Sequence, residues 1–314
     1  MRVFVAGASG VIGRPLLRRL VADGHEVTGM TRSEQRAVHV REAGADATIC
    51  DVFDRAALDA AVARAEPDVV VHQLTSLPQQ LDIRKKGVYD ANNRIREEGT
   101  RNLVAATRAA RARRMVAQSV AFIYEPLGGW VKTEDDPPMG SASGEFGSSI
   151  TATLSLEQQV LGADGLDGLD GLVLRYGFFY GPKTSYARDG HQASEVRKRR
   201  FPIVGGGSGV FSFVQIEDAA AATVAACEQG APGIYNITDD EPAPVRDWLP
   251  AYAEAVGAKK PMRIPKLVAR LIAGPDVVAF ATTLRGASNA KARDELGWAP
   301  EYSSWRTGFE RALG

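Results

Sequence analysis

Two hydrophobic periods alternate along the first two thirds of the chain. "RVFVAGA" is a short apolar run backed by turn residues and predicts a strand, while Ile12, Leu16, Leu17 and Leu20 recur at helical spacing between Val11 and Asp23. "HEVTGMT" predicts a second strand, "SEQRAVHVREAG" a helix closed by Gly44, and "ADATIC" with "RAALDAAVARAE" repeats the pair. The valine run of "PDVVVHQLT" lacks alternation, as a strand covered on both faces does. A long helix around "NRIREEGTRNLVAATRAA", the strand "RMVAQSV", a helix over roughly residues 150–162 and a strand in "GLVLRYGFFYGP" extend the series. Strands alternating with helices of this length predict an α/β fold of Rossmann type, a doubly wound parallel sheet. Right-handed crossovers then bring every strand's C-terminal end to one edge, where ligands bind.

After Gly181 the alternation stops. Residues 183–210 hold the basic run "RKRR" and the glycine cluster "GGGSG"; "VFSFVQIEDAAAATVAACEQG" resumes with strand and helix, and "GIYNIT" predicts another sheet strand. From Glu241 the chain is punctuated by proline and mainly helical. The expected division is a dinucleotide-binding domain of residues 1–182 and 211–240, with a small substrate lobe of 183–210 and 241–314. "GADGLDGLDGL" repeats Gly-Leu-Asp too briefly for a solenoid and is expected as a surface loop.

Charge narrows the partners. Lysine plus arginine equals aspartate plus glutamate at 38 each, so no global field draws the chain to nucleic acid or to an anionic membrane. No stretch reaches the roughly 18 apolar residues of a membrane span, and "MRVFVAGASG" goes straight into a strand. Cys50 and Cys227 lie far apart without metal-ligand spacing, which fits a reducing, cytoplasmic setting and no metal site.

"GASGVIG" places Gly7, Gly10 and Gly13 between a strand and a helix. Gly7 permits the sharp turn, Gly10 lets the backbone approach a pyrophosphate, and Gly13 allows close helix packing. The loop residues Ser9, Val11 and Ile12 lead into a helix N-terminus whose free N–H groups favour phosphate. A carboxylate some 20 residues on would bind the ribose 2′-hydroxyl of NAD. Here Thr31, Arg32 and Ser33 occupy that place, with Arg36 one turn later. A guanidinium there pairs with a 2′-phosphate, so NADP(H) is expected over NAD(H). Asp51 and Val52 are expected beside the adenine, Gln73, Leu74 and Thr75 beside the ribose and nicotinamide, and Tyr176 among the cofactor contacts.

Taken in order, "GASGVIG", "DVFD", "VVVHQLT", "EEGTRNLV", "LRYGFFYGP", "FSFVQIEDAAAA", "GIYNITDDEP" and "SNAKARDELGWAP" resemble the extended short-chain dehydrogenase/reductase family, also described as the NAD-dependent epimerase/dehydratase family. The resemblance runs nearly end to end. It implies a Rossmann domain with a C-terminal substrate lobe, a homodimer through the helices beside the active edge, and sugar-nucleotide or carbonyl chemistry. Typical members use a Ser or Thr, a Tyr and a Lys four residues later, the lysine lowering a phenol pKa that is otherwise near 10.

None of the eight tyrosines here has a lysine four residues on. The resemblance puts Ser149 at the tyrosine position, Thr153 at the lysine position, and Val120 at the usual Ser/Thr with Ser119 beside it. Tyr124, Ser119, His191 and Ser149 are the remaining candidates for handling the substrate's oxygen or proton, His191 because imidazole titrates near neutral pH. Arg197 to Arg200 are candidates for an acidic substrate group, and Trp130, Phe178, Phe179, Phe211 and Phe213 for an aromatic or polycyclic one. The expected activity is NADPH-dependent reduction of a carbonyl or conjugated double bond in a small metabolite, with a non-standard proton donor. The alternatives are a redox-neutral isomerase, cyclase or dehydratase using bound NADP, and a non-enzymatic NADP(H) sensor.

Overall fold

The computed structural model describes residues 1–78, 85–140, 144–162 and 168–313. Of the Gly-Leu-Asp segment, residues 162–172, residues 163–167 lie outside the described residues and Asp170–Leu172 already belong to a strand rather than a loop. Seven strands form one wholly parallel sheet: β1 Arg2–Ala6, β2 Glu26–Thr31, β3 Asp46–Ile49, β4 Val69–His72, β5 Arg114–Val120, β6 Asp170–Tyr176 and β7 Gly233–Ile237, in the order β7-β6-β5-β4-β1-β2-β3. Such a sheet needs cover on both faces, which is why Val69, Val70 and Val71 read as an unbroken apolar run.

The cover comes from α1 Gly13–Ala22, α2 Glu34–Glu42, α3 Arg55–Ala65, α4 Asp90–Arg94, a π-helical turn at Ile95–Gly99, α5 Thr100–Ala109, α6 Gly144–Leu161, and α8 Ile216–Glu228 after α7 His191–Arg197. On one face Leu16, Leu17 and Leu20 of α1 pack with α8 and with Val3, Val5, Val69 and Val71. On the other, Phe4, Val70 and Met115 meet Leu58, Leu103 and Leu156 from α3, α5 and α6. Each such side chain, fully buried, contributes roughly 1.5–3 kcal/mol.

Register fixes the ligand edge. Ala6 stands opposite both Met30 and His72, and Val120 opposite Tyr176, so the loops after β1, β2, β4, β5 and β6 leave the sheet along one edge. Beyond it, α7, α9 Val245–Ala255, α11 Pro275–Thr283 (after α10 Lys266–Ala273) and α13 Trp305–Leu313 (after α12 Ala290–Glu295) surround an aromatic core of Tyr186, Phe211, Phe213, Trp248, Trp305 and Phe309. Among the described residues no helix is long and apolar enough to cross a membrane.

Candidate active site

The glycine turn follows directly from its crowding. Gly7 has φ +92°, and a Cβ there would lie 2.4 Å from the Gln73 carbonyl oxygen; one on Gly13 would lie 2.4 Å from the Gly7 carbonyl oxygen. Gly10 donates its N–H to Gly7 O at 3.0 Å and, like Val11, is exposed. No side chain caps α1, whose N-cap residue is Ile12, so its first amides remain available to an anion. Ser9 Oγ meets Thr31 Oγ1 at 3.3 Å, joining the loop to the end of β2. Gln73 Nε2 donates to the Tyr176 hydroxyl at 3.2 Å, while its Oε1 is buried and has no partner among the described residues. The Tyr176 hydroxyl also meets Thr223 Oγ1 at 2.7 Å, so this ring orients Gln73 from the core. Leu74 is half-buried and Thr75 exposed beside it. A cradle only glycine permits, an uncapped helix start and an orphaned amide oxygen together fit a dinucleotide.

Arg32 and Arg36 are exposed at the start of α2, with Ser33 as its N-cap residue, and among the described residues neither arginine forms an ion pair. Asp51 is exposed after β3, its Oδ1 accepting from Phe53 N at 3.0 Å, and Val52 is buried against Gly99.

Farther along the edge, a buried network replaces free hydroxyls. Ser119 donates to Glu157 Oε1 at 2.6 Å, and Arg175 grips the same carboxylate with Nε at 2.8 Å and Nη2 at 2.6 Å. Burial opposes the charge on Arg175, but the two-pronged contact with Glu157 outweighs it and holds the guanidinium's pKa above its ordinary value. That guanidinium lies 5.0 Å from the Tyr124 ring centroid. The Tyr124 hydroxyl donates to Asn236 Oδ1 at 2.7 Å, and burial raises its pKa despite Arg175. Both Ser119 and Tyr124 therefore spend their protons inside the protein.

Ser149 is in a different position. It sits on the buried side of α6, where Oγ and carbonyl oxygen accept from Arg96 Nη1 at 2.9 and 3.2 Å. Thr153 Oγ1 donates to the same carbonyl at 2.7 Å. Ser149 thus keeps its own hydroxyl hydrogen, next to a cation. His191 opens α7, which packs on α9 in the lobe; among the described residues no hydrogen bond joins it to the sheet edge. Arg197 to Arg200 are exposed there as well, and Arg197 Nε donates to Val256 O at 2.9 Å.

The aromatic residues divide by place. Phe178 stacks between Phe122 (4.5 Å) and Phe211 (4.6 Å), with Phe280 of α11 edge-on to both Phe122 and Phe178. Phe213 belongs to the lobe core, Phe179 packs on Tyr176, and Trp130 is exposed under Arg285. An apolar wall therefore stands where β5 and β6 leave the sheet.

Arg96, Glu157 and Arg175 do not stand among the sequence candidates. A signal for Arg96 did exist: Asn92, Arg96, Thr100 and Leu103 share one face at helical spacing, and that face is buried. An arginine on the core side of a helix is rarely there for packing alone.

Comparison with known proteins places the chain. Residues 3–238 match the NAD dependent epimerase/dehydratase family. The chain is 45% identical over 312 residues to a 3-diazoavenalumate denitrifying reductase from a Streptomyces species, covering 99% of this chain and 100% of that one. It is 30% identical over 276 residues to a 4-hydroxy-2-methyl-3-oxo-4-farnesyl-3,4-dihydroquinoline-1-oxide ketoreductase from Stigmatella aurantiaca, covering 87% and 79%. The UDP-glucose 4-epimerase of Thermotoga maritima has the same fold, with a TM-score of 0.78 at 20% identity over 100% of this chain and 97% of that one. With that sheet, that glycine turn and these relatives, the chain belongs to the NAD-dependent epimerase/dehydratase family, as an oxidoreductase.

Proposed function

We propose that this enzyme is an NADPH-dependent reductase acting on a small aromatic or conjugated metabolite, and that the reduced group accepts hydride without needing a proton from a phenol. The observation that carries this reading is α6, which has Ser149 and Thr153 four residues apart and neither a tyrosine nor a lysine anywhere along it, in the helix to which the family resemblance assigns that pair. A diazo group is the acceptor that suits such a site best. The Streptomyces relative's name specifies a diazo compound, a carboxylate and loss of nitrogen. Hydride addition to a diazonium carbon balances as R–N2⁺ + H⁻ → R–H + N2. The C–N bond breaks with its electron pair leaving in N2, and the new C–H bond takes both electrons from hydride. No alkoxide forms, so no acid is required.

Bound NADPH would supply the hydride. The protein's part is placement: the amides at the start of α1 hold the pyrophosphate, Arg32 and Arg36 pair with the 2′-phosphate, and Gln73 and Leu74 border the ribose and nicotinamide. Phe122, Phe178 and Phe280 offer an apolar wall to a flat ring and keep water from the reacting carbon.

Carbonyl reduction is the second reading, favoured by the Ser149 hydroxyl that Arg96 leaves free to donate. One experiment separates the two. The protein is incubated anaerobically with an arenediazonium carboxylate and NADPH deuterated at the transferable position. Expected are one N2 released per NADPH consumed and deuterium at the carbon that carried nitrogen. Unconsumed NADPH, or hydrogen from solvent at that carbon, overturns the diazo reading. Turnover of ketones alone establishes the carbonyl one.

A further inference from the structure

We propose that Arg96 and Asn92 form a subsite for an anionic oxygen of the substrate, a carboxylate or a phenolate conjugated to the group being reduced. The inference deepens the reading above and rests on it for the substrate's class, though the geometry is independent.

Arg96 is only 9% exposed, on the π-helical turn Ile95–Gly99, and among the described residues its hydrogen-bond partners are both neutral oxygens of Ser149. Among the described residues no carboxylate lies within ion-pair distance of it. The nearby Glu157 is held twice by Arg175 and once by Ser119. A guanidinium withdrawn from water without a counter-ion is costly, and its pKa is pulled down to about 10 by that burial. Its charge also reaches the His72 ring at the end of β4, which it helps hold neutral, and the Tyr89 phenol. Four residues before Arg96, Asn92 is 1% exposed; its Oδ1 accepts from Ser76 N at 3.0 Å, and among the described residues its Nδ2 has no partner. A buried cation and an unspent amide donor thus share one helix face, between the loop after β4 and Ser149 of α6. π-helical turns of this kind recur at functional sites because the extra residue redirects a side chain.

An oxygen anion there would offset the uncompensated charge, and a guanidinium offers it two parallel N–H donors. The chemical benefit follows. An anionic oxygen conjugated with a diazonium pushes electrons into it and blunts its reactivity. A fixed cation on that oxygen withdraws them again and leaves the carbon open to hydride.

The test uses redox-inert probes on the enzyme with bound NADP⁺, so it does not depend on turnover. 4-Methoxycinnamate carries only a carboxylate and 4-nitrophenol only a phenol; their neutral counterparts are methyl 4-methoxycinnamate and 4-nitroanisole. Calorimetric titration should show at least one anion binding wild type roughly tenfold or more tighter than its neutral counterpart. Arg96→Gln should abolish that preference and Arg96→Lys should retain most of it. If the phenol is the ligand, the visible phenolate band should grow on binding to wild type and not to Arg96→Gln. Equal binding of anion and neutral analogue by wild type overturns the proposal, and needs no variant to fold. So does an Arg96→Gln protein, folded by its melting temperature, that keeps the preference. If anion discrimination holds while diazo compounds are not reduced, the reaction assignment fails and the subsite stands.

Discussion

The buried ring of His72 is held in one protonation state by its two neighbours. Leu74 N donates to Nδ1 at 3.2 Å, so that nitrogen carries a lone pair, and Nε2 carries the hydrogen directed at Thr100 Oγ1, 3.0 Å away. A second proton would face the Leu74 amide and the charge of Arg96. Burial, with that charge, accordingly lowers the pKa to about 4 from 6.5. The sign follows from linkage. The unfolded chain binds a proton below about 6.5 and the folded one only near 4, so stability present above 6.5 is lost as pH falls through that window. At the lower end the loss is roughly 3 kcal/mol. Urea unfolding at pH 7, 6, 5 and 4.5 should show this slope in wild type and a shallower one in His72→Gln. Equal slopes would remove His72 as the source. His72 ends the unbroken apolar run "VVVH" and its burial follows from that local pattern, whereas the importance of Arg96 depends on what α6 brings to it from 53 residues away.

Elements differ in how much of them could be read in advance. The turn between β1 and α1 was legible because Gly13 answers a steric demand set six residues away, where a Cβ would lie 2.4 Å from the Gly7 carbonyl oxygen, and Gly7 a positive φ of its own; that Gly7 is also crowded by the Gln73 carbonyl, 66 residues on, no local pattern shows. Helix α6 was placed at residues 150–162 and starts earlier, at Gly144, and the residues it lacks are as informative as those it carries. The Glu157–Arg175 pair was hidden because it joins α6 to β6, and no local pattern couples them. Arg32 and Arg36 stand exposed at the place to which the proposed function assigns a ribose 2′-phosphate, and residues 31–33 hold no carboxylate. Replacing both with alanine should weaken NADPH binding about tenfold or more, through loss of charge-assisted hydrogen bonds, and leave NADH binding within about threefold. Fluorescence titration of the reduced cofactors measures both. NADH binding wild type as tightly as NADPH would overturn the preference.

At the scale of the whole molecule, the expected boundary between dinucleotide domain and substrate lobe crosses shared structure. After Tyr176 the chain continues through Gly177 into Phe178–Tyr180, which pairs in parallel with Phe213–Gln215. A Cβ on Gly177 would lie 2.6 Å from Ser212 O, so this seam is backbone against backbone. Tyr180 and Phe213 then enter the lobe's aromatic core with Trp248, Trp305 and Phe309, while Val214 and Ile216 enter the core under the sheet. Asp218 of α8 likewise accepts from Glu301 N and Tyr302 N at 2.9 and 3.0 Å, tying the C-terminal segment to the sheet's cover. We therefore propose that the two parts, though distinct in the order of their elements, unfold together. Trp248 and Trp305 are fully buried in the lobe and, with the exposed Trp130 and the sheet-core Trp298 replaced by phenylalanine, report it by fluorescence, whereas far-UV circular dichroism is dominated by the sheet and its helices. Thermal or urea transitions followed by the two signals should coincide. A fluorescence transition clearly ahead of the dichroism one would mean that the lobe melts alone, and that the substrate side can open without disturbing the cofactor edge.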